Sequence, residues 1–354
     1  MNKTKIVSWN VENLFRPESG GPRFDYTPIE GWTNELYQGK IKRIGTELHA
    51  LRGQFAKEDF LFAFQEIENE KVLSDIVDEL GPGYDYIKTD KTFDYLDVGL
   101  IYSQNTWEVT DQKLHKVFER FDKPDILEVE LKNKQNQALL TLLVVHLKAR
   151  PANKYFTSMY RRAVCDSLQA IIWQKHGGRG LDRLIRSNKD PNFEKPTAYP
   201  HTPNVLVVGD FNDDPFSSSL MEYLLASFDE EYVKNSFDPY SVILYNTSWK
   251  ALGEKHPGSN YYEKGTISKW NLLDQIILSK SLLASENKIC FEPNSFTIHR
   301  INCDESGIPR RICKRDEEDN IIWNEKGISD HLPVSITLTI RCSNSEEQKI
   351  PAFD

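Results

Sequence analysis

Polar and ionisable side chains follow several strand-like runs of this sequence at the point where each run ends. Asn10 and Glu12 close the run in SWNVE, and Glu66 closes the run in AFQE. His146 closes a third run, LLVVH. Side chains at strand ends gather at one rim of a sheet, so we expect these groups to lie together.

A second set of such groups lies in the C-terminal half of the chain. Asp210 and Asn212 follow the run VLVVG, and Asp274 lies at the start of the run DQIIL. Asp330 and His331 stand directly before the run LPVSITL. The same argument predicts that these side chains join the first set at the rim.

These residue types suit the hydrolysis of a phosphodiester. A hard cation such as Mg²⁺ needs oxygen ligands, and one or two carboxylates are enough beside substrate phosphate oxygens. Glu66, Glu12 and Asp330 offer such oxygens. The reaction also needs a carboxylate that orients or deprotonates water, and donors that stabilise charge growing on the phosphate. The residues able to fill these roles are Asp210, Asn212, His331, His146 and Asn10.

An α/β domain would position these residues. Apolar patterning predicts strands at residues 5–11, 60–65, 98–102, 138–147, 204–209, 272–278 and 333–340. Apolar residues at helical spacing predict helices around residues 37–51 and 160–172. No linker divides the chain, so we expect one domain over residues 1–340. Surface insertions are predicted near 177–203, beginning as a solvated basic loop, and near 303–327, with a polar tail at 341–354.

Composition narrows the class of protein. The 354 residues carry 44 Lys and Arg against 53 Asp and Glu, which argues against an extended basic groove for nucleic acid. No apolar run is long enough for a transmembrane segment. The N-terminus lacks a signal-peptide pattern, which predicts a cytoplasmic location unless a secretion signal has been removed. Five cysteines without a C-x-x-C pair indicate free thiols rather than a disulfide framework.

Six segments, taken together, resemble the endonuclease/exonuclease/phosphatase superfamily, also called DNase I-like, in a bacterial-type form. They are SWNVENLF, FQEIEN, VVHLK, GDFNDDP, LLDQIIL and SDHLPV, in this order over residues 5–340. The resemblance implies a four-layer α/β sandwich: two mostly antiparallel sheets packed face to face, helices outside, and the site at one rim.

The resemblance also implies a role for each metal-site residue. Glu66 matches the principal metal ligand of the family, which Asn10 and Glu12 would assist. Glu12 stands where many relatives have aspartate. Asp330 matches a second metal-associated carboxylate. The implied cofactor is Mg²⁺ or Mn²⁺.

The catalytic roles follow in the same way. Asp210 matches the residue that activates the attacking water, and Asn212 the one that orients it and contacts phosphate. Asp274 and His331 match a pair in which the carboxylate fixes the imidazole. His146 matches a second phosphate-contacting histidine, and the resemblance suggests Asp97 as its carboxylate partner.

Other residues are candidates for binding substrate. Tyr155, Arg161 and Arg162 follow the His146 strand, where arginines can grip phosphate and tyrosine can stack on a base; the alternative is a helix whose arginines face water. Trp270 flanks the Asp274 strand and suits either base stacking or core packing.

The sequence therefore predicts a Mg²⁺- or Mn²⁺-dependent phosphodiesterase, a nuclease that cleaves DNA, favoured over RNA, by in-line water attack. No obligate protein partner is inferred. One alternative is a phosphatase or phospholipase-type phosphodiesterase acting on phosphoinositide or sphingomyelin-like headgroups. A catalytically silent binding module is a further alternative, which the full set of polar residues disfavours.

Overall fold

The computed structural model describes residues 2–342, except 20–22, 25–26, 29, 88–96, 119–124, 151–153, 189–192, 255–257, 265–266, 317 and 319. The predicted polar tail therefore lies outside the described part of the chain from residue 343 onward.

Strands and helices alternate along the chain. In chain order the strands are β1 (Asn2–Leu14), β2 (Arg23–Phe24), β3 (Thr27–Pro28), β4 (Glu58–Ile67), β5 (Tyr84–Tyr86), β6 (Asp97–Ser103), β7 (Trp107–His115), β8 (Ile126–Asn133), β9 (Leu139–His146), β10 (Val205–Asp210), β11 (Ala226–Ser227), β12 (Leu244–Asn246), β13 (Asn260–Lys264), β14 (Ile267–Asn271), β15 (Asp274–Leu278), β16 (Ile289–Phe291), β17 (Thr297–Ile298), β18 (Cys313–Arg315), β19 (Ile321–Trp323) and β20 (Val334–Ile340). The α-helices are α1 (Asn34–Gln54), α2 (Glu70–Leu80), α3 (Lys154–Lys175), α4 (Gly178–Ser187) and α5 (Glu230–Asn235).

Two seven-stranded sheets contain the predicted strands. Sheet 1 has the order β16-β20-β1-β4-β6-β5, with β17 also pairing with β20. Sheet 2 has the order β11-β12-β15-β10-β9-β8-β7. Near the centre of each sheet lies one parallel pair, β1 with β4 and β9 with β10, among mostly antiparallel neighbours. The carboxyl ends of each parallel pair therefore meet at one edge of their sheet.

The central strands are apolar on both faces because both faces are covered. Ile6 of β1 packs in the core between the sheets, while Val7 packs with residues of α1 and α2. In β9, Leu142 joins the core between the sheets and Leu143 packs with α3. Successive side chains of a strand point to opposite faces, so such strands form unbroken apolar runs. The layers are helix, sheet, sheet and helix, which confirms the predicted four-layer fold.

The two predicted helices form as amphipathic elements that cover the sheets. In α1, Thr33 caps the N-terminus by accepting from Leu36 N, and Ile41, Ile44 and Leu48 are buried against sheet 1. In α3, the buried stripe contains Val164, Leu168 and Ile172 and faces sheet 2. None of the described helices combines the length and apolar character that a membrane crossing requires.

Both predicted insertions contain more structure than the sequence suggested. The expectation of a solvated loop from residue 177 onward is wrong, because residues 178–187 form α4, which buries Leu181 in the core beside α3. In the second insertion, β18 and β19 pair, and Ile312 and Cys313 enter the core beside α1. This second segment therefore approaches the end of β1, where site residues were predicted.

Candidate active site

The predicted site residues meet at one rim of the two sheets. From sheet 2, Asp210 pairs in register with His146 on one side and Asp274 on the other. From sheet 1, Asn10 pairs with Gln65, next to Glu66. Adjacent strand ends therefore deliver these side chains to one place.

A bulge in β4 orients Glu66. The pairing of β4 with β6 shifts between Gln65 and Ile67, so that Glu66 is the extra residue. Its φ of 61° lies in the left-handed region, which costs a non-glycine residue about 1–3 kcal/mol. Asp97, opposite Ile67, has a φ of 65°, and Asn212 has a φ of 50°. Such conformations, gathered at one rim, are typical of functional sites.

Asn10 joins the two sheets at the centre of the site. Its side-chain Nδ2 donates to Glu66 Oε1 at 2.9 Å and to Asp210 Oδ2 at 3.0 Å. Its Oδ1 accepts from the backbone N–H of Glu12, which fixes the orientation of the amide. Asn10 therefore holds two carboxylates close together with neutral N–H groups.

His331 is held by a carboxylate from the other sheet. Its Nδ1 lies 2.7 Å from Asp274 Oδ2, and its Nε2 lies 3.8 Å from Asp210 Oδ2. Burial opposes a charge on this imidazole, but Asp274 and then Asp210 outweigh burial and raise the pKa of His331 well above its usual value. The charged form of the ring is therefore favoured, and its Nε2 faces Asp210.

His146 repeats this arrangement. Its Nδ1 lies 2.9 Å from Asp97 Oδ1, and its Nε2 lies 3.7 Å from both Asp210 Oδ2 and Glu66 Oε1. Burial opposes the charged form, yet Asp97, followed by Asp210 and Glu66, raises the pKa of His146 to about 9. Two imidazoles whose charged forms are favoured thus flank Asp210.

Asp210 is the buried carboxylate at the centre. Its Oδ1 accepts from the backbone N–H of Asn212 at 2.8 Å. Burial raises the pKa of Asp210, against the opposing effect of His331. A carboxylate with a raised pKa is a better proton acceptor, as a general base requires. Gly209 lets β10 approach β9 closely here, since a Cβ at this position would lie 1.9 Å from the carbonyl oxygen of Val145.

The loop after β10 is held in place by arginines. Asn212 Nδ2 donates to the carbonyl of Leu147 at 2.7 Å, and Arg150 Nε donates to the carbonyl of Asn212 at 2.7 Å. Arg161 is buried and donates to Asp213 Oδ2 at 2.7 Å. The guanidinium of Arg161 is thus paired with Asp213 and stabilises the loop, and its predicted contact with substrate stays a prediction.

The other substrate-binding candidates lie in different surroundings. Arg162 donates to Ser218 Oγ and packs over the ring of Tyr223, on the α3 surface. Tyr155 belongs to α3, but its side chain lies outside what the structure describes. Trp270 of β14 contacts Tyr261 of β13, and it remains a candidate.

Glu12 does not take the position expected of a metal ligand. Its carboxylate is 3 % exposed and accepts from Arg311 Nε at 2.8 Å and Nη2 at 2.5 Å. A guanidinium therefore already occupies the carboxylate that was expected to assist the metal. Arg311 also lies 3.6 Å from Asp330 Oδ2. Burial opposes ionisation of Asp330, but Arg311 and then His331 hold its pKa below the usual value.

Sequence reasoning missed Arg311 and Arg150. Arg311 belongs to the second insertion, and the pair Arg310-Arg311 shortly before SDH was the one available signal. Nothing in the sequence shows which of the two arginines would reach Glu12.

Glu66 has the chemistry of a metal ligand. Its Oε1 accepts from Asn10 and its Oε2 from the backbone N–H of Asn13 at 2.8 Å, both neutral donors. Within the described residues, no lysine or arginine pairs with it, and the side chain is 21 % exposed. A hard cation fits beside such an open carboxylate.

A second cluster offers ligand-type atoms but is better interpreted as a proton relay. Asp210, Asp274 and His331 place one such atom each within 4.8 Å of the others. The bond between His331 Nδ1 and Asp274 would be lost if a cation took its place. This geometry suits a proton relay better than a metal site.

The chain belongs to the endonuclease/exonuclease/phosphatase family, whose model matches residues 5–340. Members of this family are hydrolases that act on phosphoester bonds, the class of reaction that the site residues suit. Among curated proteins, none matches this chain in sequence.

Solved structures show the same fold at low sequence identity. A family member from Bacteroides thetaiotaomicron is 15% identical, with a TM-score of 0.51, and the match covers 96% of this chain and 98% of that one. D. rerio TDP2 in complex with a single-strand DNA product is 12% identical (TM-score 0.50; 96% and 100% covered). The B. thetaiotaomicron mannosyl-6-phosphatase Bt3783 is 14% identical (TM-score 0.50; 95% and 100% covered).

Proposed function

We propose that this protein is a divalent-metal-dependent phosphodiesterase that hydrolyses DNA. The observation that carries the proposal is the group around Asp210: a buried carboxylate between two imidazoles, joined through Asn10 to the open carboxylate of Glu66. This arrangement provides a base, two cationic donors and a metal ligand within one site.

Glu66 would hold a Mg²⁺ or Mn²⁺ ion, with Asp330 as the second candidate for an oxygen ligand. When bound, the ion supplies positive charge that polarises a phosphoryl oxygen. Family membership supports this cofactor, since the fold serves phosphoester hydrolysis on charged substrates.

The residues of the chain supply the proton transfer and the charge stabilisation. Asp210 orients a water molecule and accepts its proton as the water oxygen bonds to phosphorus. The bond from phosphorus to the leaving oxygen breaks, and the leaving oxygen takes a proton from solvent. His331 and His146 donate hydrogen bonds to phosphate oxygens, because their Nδ1 atoms are held by Asp274 and Asp97.

An aromatic hairpin beside His331 favours a substrate that carries bases. The backbone N–H of Tyr261 in β13 donates to the carbonyl of Asp330, so the hairpin is attached to the site. The rings of Tyr261 and Trp270 lie 5.1 Å apart, and the guanidinium of Arg300 lies 4.6 Å from the ring of Trp270. Aromatic rings and arginine together stack on bases of single-stranded nucleic acid. The complex of TDP2 with a DNA product is consistent with such a substrate.

The test is incubation of the protein with supercoiled plasmid, linear duplex, single-stranded DNA and RNA in Mg²⁺, Mn²⁺ or EDTA. We expect metal-dependent cleavage of DNA that is lost in Asp210→Ala and kept in Asp111→Ala, a matched change at an exposed carboxylate of β7. Cleavage of RNA alone, or of sugar phosphates but no polymer, would overturn the DNA assignment. Equal activity of Asp210→Ala would overturn the assigned base.

A further inference from the structure

We propose that Arg311 is a permanent cation of the active site, which keeps Glu12 from binding metal and presents its remaining N–H groups to a substrate phosphate. This inference rests on the proposed phosphoester substrate.

The carboxylate of Glu12 is already occupied by hydrogen bonds. One of its carboxylate oxygens accepts two hydrogen bonds from Arg311, and the other accepts from the backbone N–H of Ile312 at 3.4 Å. Lys40, fully buried, donates to the carbonyl of Glu12. Both carboxylate oxygens are therefore engaged and shielded from solvent, so that Glu66 rather than Glu12 is left for the metal.

The guanidinium of Arg311 also lies close to Asp330. Arg311 Nη2 lies 3.6 Å from Asp330 Oδ2, and Asp330 is the residue directly before His331. The arginine thus extends from Glu12 toward the imidazole that faces Asp210. Without it, Asp330 would place an uncompensated negative charge beside the path of an anionic substrate.

Some N–H groups of Arg311 have no partner within the described part of the chain. A guanidinium has five N–H groups, and the hydrogen bonds within the described part of the chain use Nε and Nη2 of Arg311. Its side chain is 40 % exposed, although its partner Glu12 is buried. Nη1 is therefore available to a ligand, and a guanidinium binds phosphate oxygens through paired N–H groups.

Metal binding tests the first half of this proposal. Mn²⁺ titrations followed by electron paramagnetic resonance would compare the wild type, Glu12→Gln and Glu66→Gln, with thermal melts as a check on folding. We expect Glu12→Gln to keep the Mn²⁺ Kd within about twofold, and Glu66→Gln to weaken it at least about tenfold, as loss of a ligand-sphere residue does. Equal weakening in the two variants would show that Glu12 is a ligand and overturn the proposal.

Phosphate binding tests the second half. Calorimetric titration with inorganic phosphate in EDTA should show about tenfold weaker binding for Arg311→Ala and a smaller loss of affinity for Arg311→Lys. Lys314 is an exposed neighbour, and Lys314→Ala should bind phosphate as tightly as the wild type. The double variant Glu12→Gln/Arg311→Met removes both members of the Glu12–Arg311 ion pair together and should also lose phosphate affinity. Unchanged affinity without Arg311, or no phosphate binding by the wild type, would overturn the proposal.

Neither titration needs turnover, so the two proposals fail separately. If no polymer is cleaved but both titrations behave as expected, the DNA assignment fails and the role of Arg311 stands. If DNA is cleaved but Arg311→Ala binds phosphate normally, only the role of Arg311 fails.

Discussion

The imidazole of His331 is fixed by Asp274, with Nδ1 2.7 Å from Asp274 Oδ2. The other carboxylate oxygen, Asp274 Oδ1, is buried and has no hydrogen-bond partner among the described residues. The negative charge of Asp274 is thus directed almost wholly at one ring. This relationship fixes the orientation of the His331 ring and, together with Asp210, favours its charged form.

Replacing Asp274 by Asn should lower kcat by about 10²–10⁴, because an amide no longer stabilises the protonated ring. The measurement is the pH profile of metal-dependent phosphodiester cleavage, together with a titration of histidine resonances by nuclear magnetic resonance. We expect the pKa of His331 to fall in the variant. A kcat loss without any change in that titration would indicate a merely structural role for Asp274.

Asn10→Ala should destabilise the metal-free protein by about 1–3 kcal/mol, since Glu66 and Asp210 would both lose a buried donor. A divalent cation can offset the charge of the two carboxylates that the amide had served. Differential scanning fluorimetry should therefore show a larger rise in Tm on adding Mn²⁺ for the variant than for the wild type. An equal rise in both proteins would contradict this account.

Gly209→Ala should cost about 3 kcal/mol or more in the free energy of unfolding, because the new Cβ would collide with the carbonyl oxygen of Val145 at a φ of 147°. Gly180→Ala is the matched control. Gly180 lies in α4, where a Cβ meets nothing within 4 Å, so this change should stabilise by about 0.5–1 kcal/mol. Urea denaturation measures both; similar effects at the two positions would refute the close-approach argument.

His299 should make stability depend on pH. Burial, followed by the charge of Lys5, lowers the pKa of His299 to about 4. Between pH 6.5 and 4 the unfolded chain binds a proton that the native protein does not, so stability is complete above pH 6.5 and is lost as the pH falls toward 4. The loss amounts to about 3 kcal/mol.

Urea denaturation at several pH values checks this prediction. His299→Gln should remove most of the slope between pH 4 and 6.5, whereas His201→Gln, at an exposed position, should leave it unchanged. An identical slope in His299→Gln would mean that other groups cause the acid sensitivity.

The central strands could be predicted from the sequence because both of their faces are buried. Each of the seven predicted runs coincides with a strand, including β1, β4, β9 and β10, whose apolar residues alternate between two cores. The edge strand β7 was not predicted, since its exposed face makes it read as a polar segment. Helix α2 was also not predicted, although Asn69 caps it and Val72, Leu73 and Ile76 are buried.

The site residues that lie at strand ends could be predicted from the sequence. The contacts between segments far apart in the sequence could not. Asn10, Glu66, Asp210 and Asp274 lie at ends of paired strands, so their convergence follows from the topology. Arg311 reaches Glu12 across 299 positions of sequence from a segment without periodicity. No local pattern encodes that contact, and the pairing of Arg161 with Asp213 was not predicted for the same reason.

Each of the two aspartate–histidine pairs joins one sheet to the other, and the sheet that provides the aspartate differs between the two pairs. Asp97 of sheet 1 holds His146 of sheet 2, and Asp274 of sheet 2 holds His331, which directly precedes β20 of sheet 1. Since β20 inserts between β1 and β16, a nascent polypeptide lacks one histidine and the strand that seats it until synthesis passes residue 340. The candidate active site therefore stays incomplete until β20 has been synthesised and has paired with β1.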